Sequence, residues 1–126
     1  MRPKRIKLGA YTIPVKYHTA LIDVADDGTV SDSKVDGEGD FGCMELCDKW
    51  HIHVSEHSDD MGATLLHEAL HAVTRTSGVY RIMGDRDGEE AIVSAMSRGV
   101  IELLRRNPGL TEFLVNPDKA KPLPEC

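Results

Sequence analysis

The chain has 126 residues, a formal net charge of −6 and a sequence pI of about 5.4. The length fits one domain, and the acidic balance argues against general nucleic-acid binding, which usually requires a basic surface. No stretch approaches the roughly 20 apolar residues of a membrane-spanning helix, and no apolar run follows the basic start of the chain, as a secretory signal would require.

The N-terminal part of the chain predicts short β-strands. Apolar and polar side chains alternate over residues 4–17, and Gly9 and Ala10 mark a turn that divides this segment into two strands. Residues 21–24 are expected to extend or pair with them. Residues 26–39 are rich in Asp, Gly and Ser, which is typical of a loop.

Two further strands are expected before the first helix. Residues 41–46 form a short one, and residues 50–55 form a clearer one, in which apolar side chains alternate with polar ones such as His51 and His53. The second of these strands should therefore have one apolar face and one polar face.

The three cysteines, Cys43, Cys47 and Cys126, are an odd number, which indicates free thiols in a reducing cytosol. Cys43 and Cys47 are four residues apart, and together with neighbouring histidines they would offer an alternative zinc site. Small thiols that are buried or half-buried are the favoured interpretation.

Two long helices are predicted in the second half of the chain. The first begins near residues 58–60, which suit an N-cap, and ends at residues 77–78. The second starts at residues 87–90 and ends at residues 107–109, because a residue before proline avoids the helical region. Gly99 lies inside the second helix and predicts close packing against another element.

The clearest chemical motif is H-E-x-x-H, formed by His67, Glu68 and His71 within the first predicted helix. Residues four apart lie on one helix face about one turn apart, so the two imidazoles can hold one zinc ion. Glu68 is turned roughly 100° around the axis. It can therefore reach a water bound to the metal and act as the base in attack on a carbonyl. The alternative is a pair of surface histidines with a salt-bridging Glu68.

A catalytic zinc site needs a third protein ligand and an open position. Because His71 is the last histidine in the chain, the third ligand should be a carboxylate close to the start of the second helix. The candidates are Asp85, Asp87, Glu89 and Glu90.

Two of these candidates, Glu89 and Glu90, are favoured by different cues. On a helical wheel Glu89 lies in line with Met96, Val100 and Leu103, toward the core, where an unpartnered carboxylate would be costly. Glu90 lies at the edge of that stripe. Its spacing from Asp87 also fits a capping box, which is an alternative role for it.

The segments L-L-H-E-A-L-H-A-V and G-E-E-A-I-V-S-A-M-S-R-G-V-I-E-L-L-R-R-N-P resemble small phage and prophage proteins of the gluzincin type, akin to the ImmA/IrrE-like minimal metallopeptidases. The resemblance covers residues 60–109 well. In that group the motif is followed, on the next helix, by E-x-x-V or E-x-x-A. Aligning Gly99 and the Asn107-Pro108 end with that pattern implies that Glu90 is the third ligand, beside His67 and His71.

The resemblance also implies a mode of substrate binding. In such peptidases a strand that passes the zinc lines up the substrate as an added strand, and residues 49–55 are the candidate. His51 and His53 could then polarise a carbonyl, and Tyr80 could stabilise an oxyanion. Exposed strand histidines and a packing or surface tyrosine are the alternatives.

These observations predict an α+β, minimal zincin-like domain over residues 1–109, followed by a C-terminal tail over residues 110–126. A small antiparallel sheet packs on two main helices, with the Zn²⁺ site between them. The expected function is peptide-bond hydrolysis in the cytoplasm, or in the host cytoplasm for a phage-encoded protein. Its partner would be a peptide or protein substrate, with no nucleic acid and no membrane.

Two other functions fit the same residues. One is a non-catalytic phage protein that binds zinc for stability or binds a regulatory partner. The other is a regulatory protease with a single target, such as a repressor.

Overall fold

The computed structural model describes residues 2–34, 37, 39–45 and 50–119, which form an α+β fold. The strands are β1 (Arg5–Leu8), β2 (Tyr11–His18), β3 (Ile22–Val24), β4 (Val30–Asp32), β5 (Gly42–Glu45) and β6 (His51–Ser55). The α-helices are α1 (Met61–Ser77), α2 (Arg86–Arg106) and α3 (Pro108–Val115), and short 3₁₀ turns lie at Val79–Ile82 and Pro117–Lys119.

The main sheet is mixed and has the strand order β1-β2-β6-β5. β1 and β2 form the predicted antiparallel hairpin, with Gly9 in the turn. β6 runs parallel to β2, with Val15 opposite Ile52, and antiparallel to β5. The expectation of an antiparallel sheet is therefore wrong at its centre. A parallel pair needs a long crossover connection, and the alternation of side chains does not reveal which strands the crossover joins.

β3 and β4 form a separate antiparallel hairpin. β4 lies within residues 26–39, so the expectation of a loop is wrong for the residues of this strand. Ile22 and Asp40 exchange two backbone hydrogen bonds of 2.8 and 3.0 Å. These bonds attach the hairpin to the chain just before β5.

The apolar core lies between one face of the sheet and α1. Ile13 and Val15 of β2, Ile52 and Val54 of β6, and Ala72 of α1 are buried together. Full burial of an aliphatic side chain such as Ile or Val is worth about 1.5–3 kcal/mol. This contact therefore fixes the helix that carries the H-E-x-x-H motif against the sheet.

The polar face of β6 that the sequence predicts is buried as well, so the alternative of an exposed strand histidine is wrong for His53. His53 is 3% exposed and Ser55 is fully buried. The Ser55 hydroxyl donates a 2.7 Å hydrogen bond to the carbonyl oxygen of Ala20. The chain that follows β2 covers this side of the strand, and its hydrogen-bonding groups make burial of polar side chains possible.

α2 packs on α1 through a narrower face than the helical wheel predicts. Val93 and Ser97 are buried, whereas Met96 and Leu103, which were expected to face the core, are 55% and 51% exposed. A Cβ atom added at Gly99 would meet no atom of the described residues within 4 Å, so the close packing expected there is not found among them. The wheel locates the apolar stripe but not how much of it a neighbouring helix covers.

The C-terminal segment forms a helix, α3, that crosses the predicted end of the domain at residue 109. α3 has Pro108 in its first turn, where the missing N–H group costs nothing. The predicted tail from residue 110 thus begins inside a helix. None of the described helices has the length and apolar character needed to cross a membrane.

Asp60 both caps α1 and joins it to the end of α2. Its carboxylate accepts a 3.0 Å hydrogen bond from the backbone N–H of Ala63, as the predicted helix start requires. The Arg105 guanidinium donates two hydrogen bonds to the same carboxylate. These bonds, first from Arg105 and then from Ala63, hold the pKa of Asp60 well below its usual range.

Two substitutions separate the roles of Asp60. Asp60→Asn keeps a cap acceptor but loses the ion pair, and Asp60→Ala loses both. We expect the melting temperature at neutral pH to fall in the order wild type, Asp60→Asn, Asp60→Ala. Because the pKa is lowered in the folded state, the ion-pair stabilisation is present above a pH of about 4 and is lost as the pH falls further. Thermal melts should show the gap between wild type and Asp60→Asn closing in acid, and a gap that stays constant would contradict this origin.

Candidate metal centre

α1 places His67 and His71 on one face, one turn apart, as their spacing predicted. Their Nε2 atoms are 3.3 Å apart, and the rings meet edge to face with centroids 4.9 Å apart. Both side chains are half-buried where α1 faces α2. The two Nε2 atoms therefore face the same point between α1 and α2.

Glu90 brings a carboxylate to the same place from the first turns of α2. Its Oε1 lies 2.8 Å from Nε2 of His67, and its Oε2 lies 2.8 Å from Nε2 of His71. One ligand atom from each of the three residues fits within a span of 4.8 Å, and no other such cluster of His, Cys, Asp or Glu occurs among the described residues. Two imidazole nitrogens and one carboxylate oxygen are a donor set that suits zinc and leaves a fourth position open.

Glu90 does not cap α2. The N-cap is Asp85, whose carboxylate accepts a 2.8 Å hydrogen bond from the backbone N–H of Gly88. The capping box suggested by the spacing of Asp87 and Glu90 is therefore absent. Because the cap lies two residues earlier, the Glu90 carboxylate is left to face the histidines.

Glu89 supports the site without joining the three converging groups. It is 4% exposed and accepts hydrogen bonds from the Thr74 hydroxyl at 2.6 Å and the Arg75 guanidinium at 3.1 Å. Its Oε2 also lies 3.5 Å from Nδ1 of His71. Burial raises the pKa of Glu89, but these hydrogen bonds and the Arg75 and His71 charges outweigh it, so the pKa is lowered. A carboxylate behind the second ring nitrogen orients a histidine whose other nitrogen binds metal.

Glu68 lies beside the converging groups, with its Oε1 4.0 Å from Nε2 of His67. It is 7% exposed. Burial, reinforced by the negative charges of Glu90 and Asp40, raises the pKa of Glu68 to about 8. A bound cation would offset this, because an opposite charge favours the ionised carboxylate.

A cleft of about 670 Å³ opens over these residues. Glu68, His71 and Glu90 contribute to its lining, as do residues of β5 and the hairpin formed by β3 and β4. Tyr80 also lines the cleft, with the guanidinium of Arg75 4.7 Å from its ring centroid. The cleft has room for a ligand of peptide size beside His71, and the oxyanion role of Tyr80 stays a prediction.

A chain of hydrogen bonds that no sequence motif predicted connects β4, β2, β6 and β5. Asp32 contacts Nδ1 of His18 at 2.7 Å, Nε2 of His18 contacts Nδ1 of His53 at 2.8 Å, and Nε2 of His53 contacts Glu45 at 2.8 Å. Burial lowers the pKa of His53, and the Glu45 hydrogen bond opposes that shift. With both ring nitrogens engaged in the interior, His53 cannot polarise a substrate carbonyl. Its place on the polar side of β6 was the available signal, but the partner His18 lies 35 residues away.

Cys43 is half-buried, as the favoured interpretation of the cysteines predicts. Burial, followed by the Glu68 and Asp40 charges, raises the pKa of the thiol to about 11. Cys43 belongs to none of the metal-binding clusters found among the described residues. Cys47 and Cys126 lie outside the residues that the structure describes.

Comparison with protein-family models, curated proteins and solved structures finds no match for this chain. The resemblance to gluzincin-type phage proteins therefore stays a prediction, and function has to be inferred from the geometry of the site.

Neighbouring glutamates on α2 provide a matched test of the metal centre. Glu90→Gln removes the charged oxygen that meets both histidines, so we expect it to weaken zinc binding more than Glu89→Gln does. Glu89→Gln should still bind one equivalent, with affinity lowered about 10–100-fold. Competition with a chromophoric chelator measures both values, and His71→Ala serves as the control without a site. Tighter binding by Glu90→Gln than by Glu89→Gln would refute the assignment of Glu90.

Proposed function

We propose that this chain is a zinc-dependent peptidase built as a minimal zincin-like domain. The observation that carries the proposal is the convergence of His67, His71 and Glu90, with Glu68 beside them in an open cleft. The three converging groups would hold the metal. The fourth residue, Glu68, is a carboxylic acid whose Oε1 lies 4.0 Å from Nε2 of His67, so it would lie near the water that such a metal binds.

A zinc ion held there would polarise a carbonyl oxygen and make a water molecule more acidic. Glu68 supplies the complementary chemistry, because one of its carboxylate oxygens accepts the proton of the attacking water and then returns it to the departing amine nitrogen. Glu89 and Arg75 keep the His71 ring in place.

The strand that aligns the substrate is β5 rather than β6. β6, which was the candidate from the sequence, is paired on both sides, by β2 and by β5. The backbone N–H of Ser55 donates to the carbonyl oxygen of Phe41 at 2.7 Å. In antiparallel register the peptide groups of Gly42 and Met44 then face away from β6. Both residues line the cleft, so an extended peptide can pair with them there.

The rival function is a protein in which zinc only stabilises the fold. A closed site with four protein ligands would favour that rival. The described residues supply three ligands, and they lie beside a cleft rather than in a sealed core. These observations favour catalysis over a structural role.

Glu68→Gln tests the proposed base. We expect this variant to bind one equivalent of zinc and to cleave peptides about 10²–10⁴-fold more slowly than wild type, because the amide cannot accept the proton. Glu112→Gln, an exposed position on α3, is the matched control and should cleave normally. Metal analysis and cleavage of a peptide library measure the two properties. Unchanged cleavage by Glu68→Gln would reject its role as the base.

The assignment of β5 is tested with substrate peptides that are N-methylated at one backbone nitrogen at a time. Only alternate amides of an extended peptide face the strand it pairs with. We therefore expect kcat/KM to fall about tenfold, or roughly 1.4 kcal/mol, at every second position near the cleaved bond. Equal tolerance at adjacent positions would argue against strand pairing.

A further inference from the structure

Gly42 of β5 lies directly against α1, next to the residues of the motif. It is not among the glycines with positive φ, so its backbone conformation is open to other residues. A Cβ atom built on Gly42 would lie 2.6 Å from Cγ2 of Thr64 and 3.3 Å from Cγ of Glu68. The 2.6 Å distance to Thr64 is shorter than the contacts that Cβ atoms make in proteins. Glycine is therefore required here for space and not for its conformational freedom.

We infer that Gly42 is a positioning residue for Glu68. Without a side chain at this position, α1 approaches β5 closely enough for the stem of Glu68 to lie against the strand, which holds the carboxylate beside His67. The inference rests on the proposed function, in which Glu68 is the base. It assigns to β5 a second role in addition to pairing with substrate.

A small displacement of this carboxylate matters for catalysis. Reacting groups must be held within about 0.5 Å of their productive geometry, and a misplacement of about 1 Å can cost 10²-fold in rate. A methyl group on residue 42 would meet three neighbours: Thr64, Glu68 and the carbonyl oxygen of His53, which lies at 3.3 Å. The pairing of β5 with β6 holds that carbonyl. The flexible stem of Glu68 is therefore the neighbour that gives way, together with Thr64.

The contacts with Thr64 and Glu68 can be separated by substitution. Thr64→Ser removes Cγ2 and keeps the hydroxyl, which makes a 2.7 Å hydrogen bond with Ser58 Oγ. In the double variant Gly42→Ala/Thr64→Ser the severe 2.6 Å contact is gone, and the contact with Cγ of Glu68 remains. The single variant Gly42→Ala retains both contacts. Comparison of the single variant with the double variant therefore distinguishes damage to the fold from displacement of Glu68.

The experiment compares Thr64→Ser, Gly42→Ala and the double variant by thermal melting, zinc content, kcat and KM, and by crystal structures without metal. We expect Thr64→Ser to match wild type and Gly42→Ala to melt at a lower temperature. The double variant should melt at the temperature of wild type and should bind one equivalent of zinc. Its Glu68 carboxylate should be displaced relative to the two imidazoles, and its kcat should be about tenfold lower with little change in KM.

Two results would overturn the inference. One is a double variant with the carboxylate of Glu68 in its original place. The other is a displaced carboxylate with wild-type kcat, which would make Gly42 a packing residue only. If wild type cleaves no peptide, the proposed function fails, and the crystal structures alone then decide whether Gly42 positions Glu68.

Discussion

Two contacts of 2.8 Å, from the carboxylate of Glu90 to the Nε2 atoms of His67 and His71, define the centre of this molecule. These contacts depend on the positions of α1 and α2, which are set by two independent features of the fold. The aliphatic core fixes α1 on the sheet, and the Asp85 cap sets where α2 begins. Two helices that are anchored at different places thus bring together three side chains whose donor atoms suit a divalent cation.

Two adjacent residues of α2, Glu89 and Glu90, make different contacts with the site. Glu89 and Glu90 are turned roughly 100° from each other around the helix, so one side chain is 6% exposed and the other 56% exposed. The buried carboxylate is kept ionised by Thr74 and Arg75 and stands behind His71. The exposed carboxylate faces the histidines from the cleft. The proposed third ligand and the carboxylate proposed to orient His71 therefore come from one helical turn.

β5 links the site to the rest of the sheet. Gly42 allows α1 to approach, while Glu45 ends the hydrogen-bonded chain that passes through His53 and His18 to Asp32 on the β3–β4 hairpin. The strand therefore makes a polar contact with His53 through Glu45 and packs against α1 at Gly42. These contacts fix the position of β5 at the edge of the sheet that borders the cleft.

The sequence by itself determined the local features: the H-E-x-x-H helix with a cap near residues 58–60, the first hairpin, and a short set of acidic candidates for the third ligand. Periodicity and capping act over a few residues, so they can be read directly from the chain. The tertiary structure alone decided the parallel pairing of β2 with β6, the burial of His53 and the position of β5 at the edge of the sheet. It also brings Glu90, which the resemblance had selected, to the two histidines. Each of these depends on contacts between residues far apart in sequence, which local patterns do not encode.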